Sequence, residues 1–214
     1  LNKDVFGFPI QWIPKNPRWQ NYVDIWTQIP LLTFVKNTVK ITVVVTLLQL
    51  FTSSFAAYAF AKMQFKGKNV LFLGYIATIA VPWQAYMVPQ FMMMSSWHLN
   101  NTHLAIMCLQ AFSAFGVFLM KQFYEGVPTE LCEAARIDGL SEYGIWWHIM
   151  LPLSLPALST LTIFTFVNTW NDFLGPLIYL TKTELKTIQI GLRMFITQYS
   201  AEYGLDRKST RLNS

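Results

Sequence analysis

The sequence predicts an all-α membrane protein, a bundle of apolar helices joined by short polar segments. Three observations carry that expectation. Only 13% of the 214 residues are charged, about half the share of roughly 25% usual in soluble domains. The deficit is concentrated: residues 41–61, 69–97, 104–120 and 149–171 hold no Asp, Glu, Lys or Arg, and each run is near or above the roughly 20 residues a helix needs to cross a bilayer core. A chain this short, moreover, cannot surround four such runs with polar helices of its own.

Residues 1–30 read as an extracytoplasmic lead-in. Pro9, Pro14, Pro17 and Pro30 forbid one long helix, and Trp12, Trp19, Tyr22 and Trp26 suit the headgroup layer. One membrane domain is expected over 31–205, with spans at about 32–63, 69–94, 104–122 and 152–180. Lys36 and Lys40 lie in the first turns of span one, where their stems let the ammonium reach outward. The second half of that span, TSSFAAYAFA, is rich in the small residues that let membrane helices approach closely. The loop MQFKGKN is short and basic. Span two carries Pro82 and Pro89 and must be kinked or broken there, and SSWHLNNT is an uncharged turn. Span three is uninterrupted by proline; span four carries Pro152, Pro156 and Pro176. Residues 181–200 form a polar, amphipathic loop. The last nine residues, DRKSTRLNS over 206–214, have no apolar pattern and read as a non-native tail.

The net charge of +5 is scattered over loops, as is ordinary for the flanks of membrane spans, and does not imply nucleic acid. Basic residues leave the orientation open. The loop 62–68 holds three against none in 95–103, but raw totals are five on that side and eight on the other, counting 62–68 plus 121–151 against 1–40 plus 181–200. Cys108 and Cys132 read as small packing residues. His98, His103 and His148 are too far apart for a ligand cluster. Neither a G-x-x-x-x-G-K-[ST] phosphate loop nor a G-x-S-x-G or H-E-x-x-H motif occurs, so no catalytic, metal or cofactor site is expected in this chain.

The segment 123–151 is the informative interruption. Pro128 suits a first helical turn, and Glu130 and Glu133 lie where a helix dipole favours acids. Gly139 is the residue type that closes a helix in the left-handed conformation. Ser141 can cap a second short helix bearing Trp146, Trp147 and Ile149. A first helix of about nine residues is too short to hold alone in water. It needs a surface to rest on, and pattern alone leaves open whether that surface is its own spans or another protein.

Within this segment, EAARIDG, nine residues, then IMLP resembles the cytoplasmic signature loop of ABC importer permeases. Glu133, Ala134, Ala135, Asp138, Gly139, Ile149, Leu151 and Pro152 fill its positions. PTELCEAARIDG and the later TWNDFLGPLIYL are similar to the carbohydrate-uptake class of maltose and multiple-sugar systems, and the likeness runs from about residue 1 to Leu205. The resemblance implies a type I ABC importer bundle in which 123–151 is a cytoplasmic coupling loop seated in a separate ATPase dimer. Those ATPase chains would bind the ATP and Mg. It further implies a second permease as heterodimer partner, an extracytoplasmic sugar-binding protein and a place in a bacterial cell membrane. The family pattern has six spans and four are visible here, so the chain is expected to be truncated at both ends.

Two further groups are candidates for a substrate pathway. In NTWNDF, Asn168, Trp170, Asn171 and Asp172 combine amides, an acid and an aromatic ring, the groups that match sugar hydroxyls and sugar faces. An acid inside a membrane is a functional candidate by default, although near the interface Asp172 could equally be a structural cap. Gln84, beside Pro82, is a weaker candidate. Met92, Met93 and Met94 read as adaptable packing. The alternatives are an importer permease for a non-sugar solute and a secondary transporter that relays a proton through Asp172.

Overall fold

In the computed structural model, residues 30–194 are described, and every regular element among them is helical. The expected lead-in over 1–30, apart from Pro30, and the tail over 206–214 lie outside the described residues.

The longest helix, α1 (Leu31–Lys62), has 32 residues, roughly 48 Å at 1.5 Å per residue, so it exceeds a bilayer core of about 30 Å. It is the one helix among the described residues that is long and apolar enough to cross a membrane unbroken; three bent pairs raise the count to four if each is a single span. The element order continues with α2 (Lys68–Ala77), α3 (Trp83–Ser96), α4 (His103–Leu109), α5 (Ala114–Glu125), α6 (Thr129–Ile137), α7 (Glu142–Ile145), α8 (Leu155–Trp170) and α9 (Leu174–Tyr179).

Two of the three bends have proline as their cause. Between α2 and α3 the axis turns by 101°. Pro82 drives Val81 into an extended conformation (φ −84°, ψ 113°), because the residue before proline is excluded from the helical region. At the start of α8 the bend is 80° and falls at Ser154. Pro156 has no N–H for the carbonyl of Pro152 and its ring crowds that carbonyl, so the helix cannot run through. The straight helix α8 therefore starts at Leu155, three residues past Pro152. Helical structure runs from Glu142 through a π turn at Trp146–Met150 to Leu153, and only then turns into α8.

The third bend, 42° between α4 and α5, breaks what the sequence presents as one continuous span. Its cause is tertiary. Ser113 caps α5 by accepting a hydrogen bond from the Gly116 N–H. The freed carbonyls of Gln110 and Ala111 accept from Gln49 Nε2 (2.7 Å) and Thr52 Oγ1 (2.8 Å) on α1. Without those donors, the two carbonyls freed by the break would lose their protein partners.

α1 packs chiefly on α5 and α8. It approaches α5 closely because Gly116 faces Ser53: a Cβ at Gly116 would overlap Ser53 Oγ and lie 3.1 Å from Ser53 Cβ and 3.3 Å from Leu161 Cδ1. Two apolar clusters are strung along α1. One joins its C-terminal half (Ala57, Tyr58, Phe60) to α5, α6 and the Trp146 turn. The other joins its N-terminal half (Ile41, Val45) to Met94, α4 and α9. Gln49 and Thr52 lie between them.

Polar ties close each end of the bundle. At one end the buried Lys62 ammonium donates to the Val127 carbonyl, so the loops 63–67 and 126–128 share that end. At the opposite end Asn37 Nδ2 donates to the Glu184 and Lys186 carbonyls (2.8 and 3.0 Å). There too Asn101 Oδ1 accepts from Thr181 N, Thr181 Oγ1 and Lys182 N.

Candidate functional site

The hairpin built by α6 and α7 lies at the Lys62 end. Its turn is a complete glycine-closed helix end: Gly139 has φ +85°, its N–H donates to Arg136 O, and Leu140 N donates to Ala135 O, the two bonds of a Schellman closure. Ser141 then accepts from Gly144 N and caps α7. An ion pair locks the two arms: Arg136 Nε and Nη2 donate to Glu142 Oε1 (2.6 Å) and Oε2 (3.2 Å). Glu142 Oε2 also accepts from the Tyr58 hydroxyl of α1 at 2.5 Å, which fastens the hairpin to the longest helix. The hydrogen bond from the Arg136 guanidinium, joined by that of Tyr58, holds the Glu142 carboxyl below the usual carboxylate range.

α6 divides into two faces. Cys132 and Ala135 are buried against Tyr58, Tyr124, Trp146 and Met150. Glu133, Ala134 and Ile137 point away, Ile137 with 87% of its surface exposed. The two alanines of the signature thus do different work. Ala135 lies inside the chain's own core and is not available to a docking partner, because Cys132 and Ala135 are one turn apart on the same face; Ala134 is on the open face. Asp138, Gly139 and Pro152 are exposed, and Leu151 is half-buried.

The second site is a cavity of about 710 Å³ bounded by α1, α3, α5, α8 and the α8–α9 corner, within the roughly 300–1,000 Å³ range of small-molecule sites. A chain of side chains crosses its wall. Thr165 Oγ1 donates to Gln49 Oε1 (2.9 Å), and Gln49 bonds the Gln110 carbonyl as above. Gln110 Nε2 donates to Asp172 Oδ2 (2.7 Å), and Asp172 Oδ1 accepts from Gly175 N (3.2 Å). Across the cavity Trp83 Nε1 donates to Gln90 Oε1 (2.8 Å).

Of the pathway residues picked from sequence, Asn168, Asn171 and Asp172 line this cavity. Trp170 and Gln84 are not among its lining residues. Trp170 is two residues from Asn168, which turns it some 200° around the helix, and it stacks on Phe166 (centroids 5.7 Å, 15°). Gln84 is exposed on a different face of α3 from Trp83 and Gln90. Asp172 has both oxygens engaged, one of them capping α9. Sequence reasoning missed Gln49, Gln110, Trp83, Tyr86 and Gln90. The amides carried a legible signal, since each interrupts a run without charge, and a polar group at that depth needs a partner.

Comparison with known proteins identifies the class to which this architecture belongs. Residues 20–205 match the family model of the binding-protein-dependent transport system inner membrane component, and the chain belongs to that family. It is 36% identical over 93% of its length to the arabinooligosaccharides transport system permease protein AraQ of Halalkalibacterium halodurans, spanning 72% of that protein. It is also 36% identical over 87% of its length to the lactose transport system permease protein LacG of Rhizobium radiobacter, spanning 68% of it. In structure it matches a chain of a bacterial ABC transporter involved in the import of the acidic polysaccharide alginate. That match has a TM-score of 0.78 and 27% identity, and covers 85% of this chain and 64% of the other. The fold is that of an ABC importer permease.

Proposed function

We propose that this chain is a permease subunit of an ATP-driven, binding-protein-dependent sugar importer in a bacterial cell membrane. It contributes part of the translocation pathway and no chemistry of its own. A second permease completes the pathway, an ATPase dimer holds ATP and Mg, and an extracytoplasmic binding protein delivers the sugar. The loop 123–151 is then the cytoplasmic coupling element, with Glu133, Ala134, Asp138 and Gly139 toward the ATPase. Ala135, Leu151 and Pro152 join that surface to the spans. The relatives named for arabinooligosaccharides and lactose support sugar as cargo.

The observation that carries the coupling role is the build of the hairpin. One face of α6 is locked to α1 through the Arg136–Glu142–Tyr58 bonds, while the other leaves Glu133, Ala134 and the 87%-exposed Ile137 open. Such an element is tied on its inner side and exposed on its outer side, which suits a lever between two proteins. Proton relay by Asp172 in a secondary transporter is disfavoured, because the chain belongs to a binding-protein-dependent transport family and Asp172 braces α9 and Gln110.

The test uses the whole transporter, with its partner subunits, in vesicles. Glu133→Lys places the wrong charge on the open face. Gly139→Pro demands φ near −65° where the chain has +85°. Both should reduce substrate-stimulated ATP hydrolysis at least tenfold while the protein still inserts and assembles. Normal stimulation in both variants would sink the coupling role.

A further inference from the structure

We infer that the cavity between α1, α3, α5 and α8 is a binding subsite for an uncharged stretch of saccharide, provided by this chain itself. The inference rests on the sugar-import reading and deepens it, naming which residues touch the cargo and which sugars they accept.

Charge is the first argument. The lining contains no Lys, Arg or His, and its one acid is Asp172. Asp172 accepts a hydrogen bond on one oxygen from Gln110 Nε2 and on the other from Gly175 N, so it braces the wall. A uronate carboxylate entering here would meet that acid with no cation in the lining to offset it. A neutral sugar meets no such opposition.

The remaining polar groups are of the kind that hydroxyls need. A sugar hydroxyl both donates and accepts, and so does a carboxamide. Asn168 lines the cavity and its side chain has no hydrogen-bond partner among the described residues. Gln90 has its oxygen taken by Trp83 Nε1, which orients the amide and leaves its NH2 to donate. The carboxamides of Gln49 and Gln110 are held by Thr165 and Asp172. Gln49, Gln90 and Gln110 are therefore set in place before any ligand arrives, which lowers the ordering cost of binding.

Aromatic surface supplies the other half of sugar recognition. Trp83 and Tyr86 on α3 and an edge-on Phe115–Phe164 pair (5.6 Å) border the same space. The C–H faces of a sugar ring are apolar, and flat rings cover them at little entropic cost. Amides and rings that line one space offer partners for both the hydroxyl edge and the apolar face of a pyranose or furanose. The break between α4 and α5 makes room for this, since the donors that mend it, Gln49 and Thr52, come from α1.

The decisive experiment compares wild type with Asn168→Ala, Gln90→Leu and Trp83→Phe in the complete transporter, reconstituted in vesicles with its binding protein. The probes are a neutral arabino-oligosaccharide, lactose and an oligouronate. Each preparation is checked for assembly with the ATPase and for ATP hydrolysis stimulated by the loaded binding protein. The subsite predicts that Asn168→Ala and Gln90→Leu lower uptake of the best neutral probe five- to tenfold with stimulated hydrolysis retained. Trp83→Phe, which keeps the ring but loses the indole N–H, should lower it two- to threefold. Asn168→Lys should shift the ratio of oligouronate to neutral uptake upward. Wild-type uptake in all these variants overturns the subsite while leaving the sugar-import reading intact. Oligouronate carried by wild type as fast as the neutral probes overturns the neutral class. If wild type carries no saccharide on ATP, the sugar-import reading itself falls, and the subsite with it.

Discussion

Glu142 shows how a single residue sets the stiffness of the hairpin. It receives the guanidinium of Arg136 from the preceding helix and the hydroxyl of Tyr58 from α1. The Arg136 pair is partly exposed on both sides, so screening keeps it near the surface range of about 0–1 kcal/mol. The Tyr58 bond is the stronger tie, because Tyr58 is only 2% exposed. Losing a hydrogen bond to a charged group costs about 1.5–3 kcal/mol. The sign of the pH effect follows from a carboxyl whose folded-state pKa is lowered. Its stabilisation is present in full above the ordinary Glu range and is lost as pH falls through and below that range. Hydrogen exchange at neutral pH should therefore speed up about tenfold or more for amides 140–145 in Tyr58→Phe, and in the same direction in Glu142→Gln. Wild-type protection there should weaken only in acid. Protection in Glu142→Gln that matches wild type at neutral pH would refute this account.

Between elements, the decisive contact is that of α1 with α5, where Gly116 meets Ser53. Gly116→Val inserts atoms where even a Cβ overlaps Ser53 Oγ, and overpacking of this kind costs about 1–3 kcal/mol. We expect a drop of several degrees in the thermal midpoint of the detergent-solubilised protein. Gly116→Ala should be milder and partly rescued by Ser53→Ala, which removes the overlapping oxygen; additive losses would contradict the geometry. This approach was legible in TSSFAAYAFA, whose small residues announce a close neighbour. So were the turn at Pro82 and the closure at Gly139, because proline and glycine act on the backbone at their own positions. The break at 110–113 was not legible. Nothing in LQAFS forbids a helix; the donors that mend the break sit some sixty residues earlier on α1. The site divides the same way. Asn168 and Asp172 could be picked out as polar residues near the end of an apolar run, and helical phase alone would have turned Trp170 away from them. That Asp172 caps α9, and that Gln49 and Gln110 join it in one network, depends on contacts between distant segments.

At the scale of the whole molecule, α1 is the only helix among the described residues that takes part in both apolar clusters, in the polar layer between them and in the ties at both ends. Displacement of the hairpin therefore has a direct route to the cavity: Tyr58 and Lys62 hold one end of α1, and Gln49 borders the cavity about two to three turns further along. Lys62 is the test of that route. Its ammonium is buried and bonds the Val127 carbonyl just before α6, so Lys62→Met keeps much of the stem and leaves the carbonyl without its partner. The Val127 carbonyl is only partly buried, so its loss of a partner falls at or below the low end of the roughly 1–3 kcal/mol for a buried acceptor, enough to loosen the joint without unfolding the bundle. In the complete transporter, Lys62→Met should still hydrolyse ATP when the loaded binding protein is present, but uptake per ATP should fall several-fold. Asn37→Ala breaks a tie at the opposite end, beyond the cavity from the hairpin. It should leave uptake per ATP near wild type, with any loss in the response to the binding protein. Equal coupling losses from the two variants would mean that the bundle moves as one block, and α1 would lose its special place as the connecting rod.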